Sequence, residues 1–122
     1  MAVARNLIDR RYLYLAASRN GIVTNTYLQG PGSVFTNSSP FILPFNCTLI
    51  ALAASCNVAG TWTAEVHKLN ALVAGATLAL VAANSNSRND LAIDFNLGDG
   101  IQLFMNGTTI DRPHIQAVLR RR

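Results

Sequence analysis

Hydrophobic and polar residues alternate with period two along most of the chain, in short runs divided by Gly, Pro, Asn and Ser. Residues 12–15 and 22–28 read as two early strands joined through Asn20-Gly21, a pair suited to a type I′ hairpin turn because both central positions need positive φ. Residues 29–33 and 36–40 have loop chemistry, and residues 41–45 form a short extended piece that Pro44 places at an edge or bend. The apolar run 48–55, rich in small residues, suits burial on both faces.

After a turn at 57–60, residues 61–68 alternate cleanly. Trp62, Ala64 and Val66 point to the core and Thr61, Thr63, Glu65 and His67 the other way. Residues 69–76, interrupted by Gly75, connect to a strand at 77–83, and 84–89 read as a turn-rich loop. Leu91, Ile93, Phe95 and Leu97 then share a face. A tight turn at Gly98-Asp99-Gly100 leads into 101–105, Asn106-Gly107 is a second hairpin signal, and Ile115, Ala117 and Leu119 mark the last inward-facing strand. The expectation is one all-β domain over 1–122: a jelly-roll-type antiparallel β-sandwich of about eight strands, with residues 1–9 as a short N-terminal arm.

Composition sharpens this. Half of the 122 residues are hydrophobic and 13% are charged, so the chain can build a core without staples, and its polar surface is largely uncharged Asn, Thr, Ser and Gln. Such a surface is cheap to desolvate and suits a subunit that packs against neighbours. The net charge is +4 from nine Arg and the single Lys68, and much of it gathers at the two ends, in Arg5, Arg10, Arg11, Arg120, Arg121 and Arg122. These six are the candidate partner-binding residues. Arg is favoured where a cation is held in a fixed pair or at an interface.

Cys47 and Cys56 lie nine residues apart, about 30 Å along a continuous strand, and therefore read as buried free thiols of a reducing compartment. No stretch reads as a signal peptide or a membrane span, and the three Asn-x-Ser/Thr sequons match chance in so Asn- and Thr-rich a chain.

Candidate chemistry is sparse. Glu65 and His67 share a strand face but lack a third ligand, so an exposed polar pair is the expectation. Asp94 and Asp99 flank a Gly turn, where Asp commonly does turn work. Residues 84–90 lack the central Gly and closing Glu of a calcium loop. Trp62 reads as core rather than as a sugar platform. No nucleophile elbow, phosphate loop or paired metal-binding motif occurs, so no catalytic residue, cofactor or metal is expected.

Four segments together resemble a known group: Pro44-Phe-Asn-Cys-Thr-Leu-Ile-Ala-Leu-Ala-Ala-Ser55, Thr61-Trp-Thr-Ala-Glu-Val-His67, Leu97-Gly-Asp-Gly-Ile-Gln-Leu103 and Pro113-His-Ile-Gln-Ala-Val-Leu-Arg120. They resemble the jelly-roll (TNF- or C1q-like) domains of structural proteins of tailed bacteriophages, namely capsid decoration or cement proteins, head fibres and tail-fibre heads. The likeness spans about two-thirds of the chain, through motifs that are each a turn plus an apolar strand. Gly98 departs from the Ala-Gly that precedes Asp in many such domains. The short N-terminal segment leaves little room for a fibre stalk, which favours a decoration protein.

The resemblance implies a non-enzymatic virion protein on the capsid exterior, made in the host cytoplasm. It would form a trimer or dimer and bind the major capsid protein, with no membrane partner. A receptor- or glycan-binding fibre tip is the first alternative. A nucleic-acid-binding protein using the basic termini is the second; basic tails also dock on acidic protein surfaces, and no stacking aromatics accompany this one.

Overall fold

The computed structural model describes residues 11–30, 33–34 and 39–122. Arg5, Arg10, the arm at 1–9 and much of the 36–40 loop lie outside them. In chain order the strands are β1 (Tyr12–Ser18), β2 (Ile22–Val23), β3 (Thr26–Tyr27), β4 (Gln29–Gly30), β5 (Ser33–Val34) and β6 (Phe41–Ile42). They continue with β7 (Cys47–Lys68), β8 (Ala71–Arg88), β9 (Ile93–Phe95), β10 (Gly100–Gly107), β11 (Ile110–Asp111) and β12 (His114–Arg121). Apart from the two-residue β2–β11 ladder, they join one antiparallel sheet that curls into a near-barrel.

The long hairpin of β7 and β8 organises the fold. The first half of β7 pairs with β12, from Cys47↔Arg121 to Ser55↔His114, and β12 pairs along its full length with β1. The second half of β7 pairs with β10, from Trp62↔Gly107 to Lys68↔Ile101, and β10 carries β3 and β6 on its other edge. On its second edge β7 meets β8 twice, at 52–55 with 85–88 and at 60–68 with 71–83.

The register slips between these stretches. Residues 56–59 bulge out of β7, and β8 answers with Ala82 at φ 47° and Gly75 at φ 82°. Bulges of this kind bend a strand and raise its twist. Here they fold the hairpin so far that the side chain of Asn86 reaches the Ala79 carbonyl and that of Arg88 the Thr77 carbonyl.

The inward positions are those the alternation marks. Leu15, Ala17, Trp62, Ala64, Val66, Ile101, Leu103, Met105, Ile115, Ala117 and Leu119 are all buried, together with Leu28, Leu43, Leu49, Leu52 and Phe95. Both thiols are free and buried on one strand.

Several element boundaries differ from expectation. Residues 57–60 and 84–88 are not turn and loop but part of β7 and β8: pairing of 85–88 with 52–55 overrides the local preference of Asn and Ser, and 56–59 continue the strand as its bulge. The hairpin turn between them is Leu69-Asn70, both at positive φ, where only Asn70 carries a turn signal. Asn20-Gly21 turns the chain without making a hairpin, since β1 pairs with β12 and β2 with β11. The 22–28 strand breaks at Thr24-Asn25, where Asn25 has φ 40°, and the 29–33 loop carries the short β4–β5 ladder. Positive φ after β10 falls on Thr109 rather than on Asn106. Leu97 sits in the turn and is exposed, and Ala51, Ala53 and Ser55 are only half-buried, so that run is covered on one face rather than two.

Candidate functional site

The four described members of the arginine group gather at one end of the β1–β12 ladder, where the Arg121 N–H donates to the Arg11 carbonyl at 2.7 Å. They do different things. The Arg121 guanidinium lies 5.0 Å over the Phe45 ring. Arg122 donates to the Phe95 carbonyl at 2.7 Å, sits 3.8 Å from Asp94, and its N–H donates to the Asn46 carbonyl. The chain end is thereby tied to β9 and to the entrance of β7. Arg11 and Arg120 are exposed and carry no ion pair among the described residues.

Asp94 and Asp99 do not form a carboxylate pair. Asp94 accepts from the Thr48 hydroxyl at 2.7 Å, while Asp99 accepts from the Asn96 N–H and faces Lys68 at 3.4 Å. Burial raises the Cys47 thiol, Arg122 partly offsets it, and Asp99 and Asp94 add smaller upward pushes. Arg88 and Asp90, at the end of the expected loop, form an exposed two-point pair that lowers the Asp90 carboxyl below its usual range.

Glu65 and His67 overturn their expectation. They are buried rather than exposed, and His67 Nε2 lies 2.8 Å from Glu65 Oε1. A carboxylate only accepts, so Nε2 carries the donated proton. Neighbouring strands complete the cluster. Asn106 donates to Glu65 Oε2 at 2.9 Å, Phe104 stacks on the imidazole at 4.7 Å, and the Tyr27 hydroxyl lies 3.1 Å from His67 Nδ1. The same hydroxyl donates to the Asn70 side-chain carbonyl, and the Asn70 N–H donates to Gln102 Oε1 at 2.6 Å. These bonds staple the strained Leu69-Asn70 turn to β3 and β10.

The order Tyr27–His67–Glu65 has the connectivity of nucleophile, base and orienting acid. The phenol has one proton, and it is donated to the Asn70 side-chain carbonyl rather than to His67 Nδ1. Burial, then the Glu65 charge, raise the Tyr27 hydroxyl above the ordinary phenol range. Tyr27, Asn70 and Gln102 Oε1 hold the hairpin tip, while the Gln102 amide nitrogen is buried without a hydrogen-bond partner among the described residues.

The feature that single residues could not reveal is the outer face of the β1–β12–β7–β8 ladder. Three rows cross it in register: Tyr14–Val118–Ala51, Ala16–Gln116–Ala53–Ser87 and Ser18–His114–Ser55–Ser85. None of these side chains is Asp, Glu, Lys or Arg. Shallow depressions run across it around Gln116 and His114, floored by Ala53 and Ser55 on one side and by Ala16 and Ser18 on the other. The period-two spacing held the information, but only the strand order places the rows side by side.

No protein-family model matches this chain, and a search among curated proteins returns no significant match.

Proposed function

We infer that the chain is a non-enzymatic structural subunit of a virion, a protein that self-associates and decorates or cements the outside of a bacteriophage capsid. The observation that carries this reading is the patch formed by those three rows, up to four strands wide and without a charged side chain inside it, with Arg120 and Arg88 at its margins. Small, uncharged groups are cheap to desolvate, and two such faces meet without like-charge repulsion.

The jelly-roll reading of the fold rests on the two bends of the β7–β8 hairpin. They divide the strands into two four-stranded ladders, β1–β12–β7–β8 on one side and β3/β6–β10–β7–β8 on the other. Two facing layers are what a jelly-roll reading requires. Closure of the seam by Asn86 and Arg88 brings the two layers into a near-barrel.

In the proposed mechanism, the protein binds the assembled shell and not free capsid subunits, so binding stabilises the assembled state by mass action. Among the described members of the arginine group, Arg11 and Arg120 are free for outward contacts, whereas Arg121 and Arg122 serve the fold. The test is co-sedimentation with empty capsids of tailed phages. Binding that weakens in the Arg11→Ala, Arg120→Ala double variant, with the domain still folded, supports the reading. Absent binding overturns the reading, and binding indifferent to those changes removes the arginine contacts from it. The nucleic-acid alternative predicts instead an affinity for DNA or RNA that falls steeply with salt.

A further inference from the structure

The chain contains two Asn-Gly steps, and the fold treats them in opposite ways. In such a step the Gly backbone nitrogen can attack the Asn side-chain carbonyl. A C–N bond forms, ammonia leaves, and the resulting succinimide takes up water to give aspartate or isoaspartate. The reaction needs a free Asn amide, a Gly nitrogen not engaged elsewhere, and backbone room to close a five-membered ring.

Asn106-Gly107 meets none of these requirements. The Asn106 amide donates to Glu65 at 2.9 Å, and the Gly107 N–H donates to Asn25 Oδ1 at 2.9 Å. The Gly107 carbonyl accepts from the Asn25 N–H at 2.9 Å, and both residues sit in the β10–β7 ladder opposite Thr63 and Trp62. A Cβ built on Gly107 would lie 2.6 Å from Trp62 Cβ, so the backbone has no room to rearrange.

Asn20-Gly21 is the reverse case. Asn20 is exposed, and among the described residues its side chain makes no hydrogen bond and the Gly21 N–H finds no acceptor. A Cβ at Gly21 would meet nothing within 4 Å, and Gly21 already has φ 80°. Among the described residues the one tie at this step is the Gly21 carbonyl, which accepts from the Arg112 N–H at 2.8 Å.

We propose that Asn20 is a self-modifying site, converting to aspartate and isoaspartate with water as the only co-reactant, while Asn106 is held inert by the fold. The change lowers the net charge of +4 by one. In its isoaspartyl form it also adds a backbone carbon to the turn leading into β2, which displaces the Gly21 carbonyl from Arg112 and loosens the β2–β11 ladder.

The test is peptide mapping by mass spectrometry after incubating the whole protein in mildly alkaline buffer made with heavy-oxygen water, native and in urea. In the native protein the Asn20 peptide takes up label roughly tenfold or more faster than the Asn106 peptide, because the latter reacts only through local opening. In urea the two rates converge. The Asn20→Gln variant abolishes native uptake in that peptide. Equal native rates, or faster labelling at Asn106, would overturn the proposal.

Discussion

The side-chain amide of Asn86 donates to the backbone carbonyl of Ala79 at 2.8 Å, although an extended strand would hold residues seven apart about 23 Å from each other. Both belong to β8, so this bond records how sharply the strand turns back and where the near-barrel closes. Arg88 adds a second closure at the Thr77 carbonyl, 2.9 Å away. Asn86→Ala should cost about 1 kcal/mol of folding stability, the range for one net hydrogen bond, and Arg88→Ala should lower stability in the same direction. Urea unfolding measures this as a lower midpoint with an unchanged slope.

The cluster around His67 is expected to be structural. His67→Ala should destabilise by about 2–3 kcal/mol, because it strips Glu65 and Tyr27 of a partner and leaves a void beside Phe104. Tyr27→Phe, which keeps the ring contacts and loses only the hydroxyl bonds, should cost about 1 kcal/mol. Equilibrium unfolding of both variants, with hydrogen exchange at the Asn70 amide, separates loss of the turn from loss of the core.

Stability should fall on the alkaline side. The Cys47 thiol and the Tyr27 hydroxyl are both raised in the folded chain, chiefly by burial. An acid with a raised folded pKa keeps its full contribution below its unfolded pKa and loses it as pH rises through the folded one. The decline therefore begins near pH 9 for the thiol and about pH 10 for the phenol. Cys47→Ala should flatten the first part of that slope, and thermal unfolding from pH 7 to 11 reads it directly.

Gly107→Ala tests the packing where β10 crosses β7. The added Cβ would lie 2.6 Å from Trp62 Cβ, an atom that moves only with its backbone. The expected loss is about 2–3 kcal/mol from overpacking, visible as a lower melting temperature and a shifted Trp62 fluorescence.

How far the sequence speaks for this structure depends on what each residue answers to. Trp62, Ala64 and Val66, and likewise Ile115, Ala117 and Leu119, are buried as their alternation requires, because period two dictates which face a side chain takes once a strand exists. Residues 85–87 mislead because their turn preference is small beside the ladder they form with 53–55, and Asn57 misleads because the irregularity it marks is a bulge within a continuing strand rather than a turn. Leu97 misleads because the alternation runs past the end of β9 into a turn. Glu65 and His67 are visible as a pair, but their burial depends on Tyr27 and Phe104, which reach them from other strands. The same holds for the uncharged outer face, whose rows exist only through the strand order.

The most direct test of that face is the molar mass of the purified protein by light scattering across a salt series, beside the Ala53→Arg variant. The account predicts a defined multimer that persists at high salt, and a variant that falls to monomer while keeping its far-UV circular dichroism. A wild-type protein that is monomeric at every concentration and salt, or an Ala53→Arg variant with unchanged mass, would contradict it.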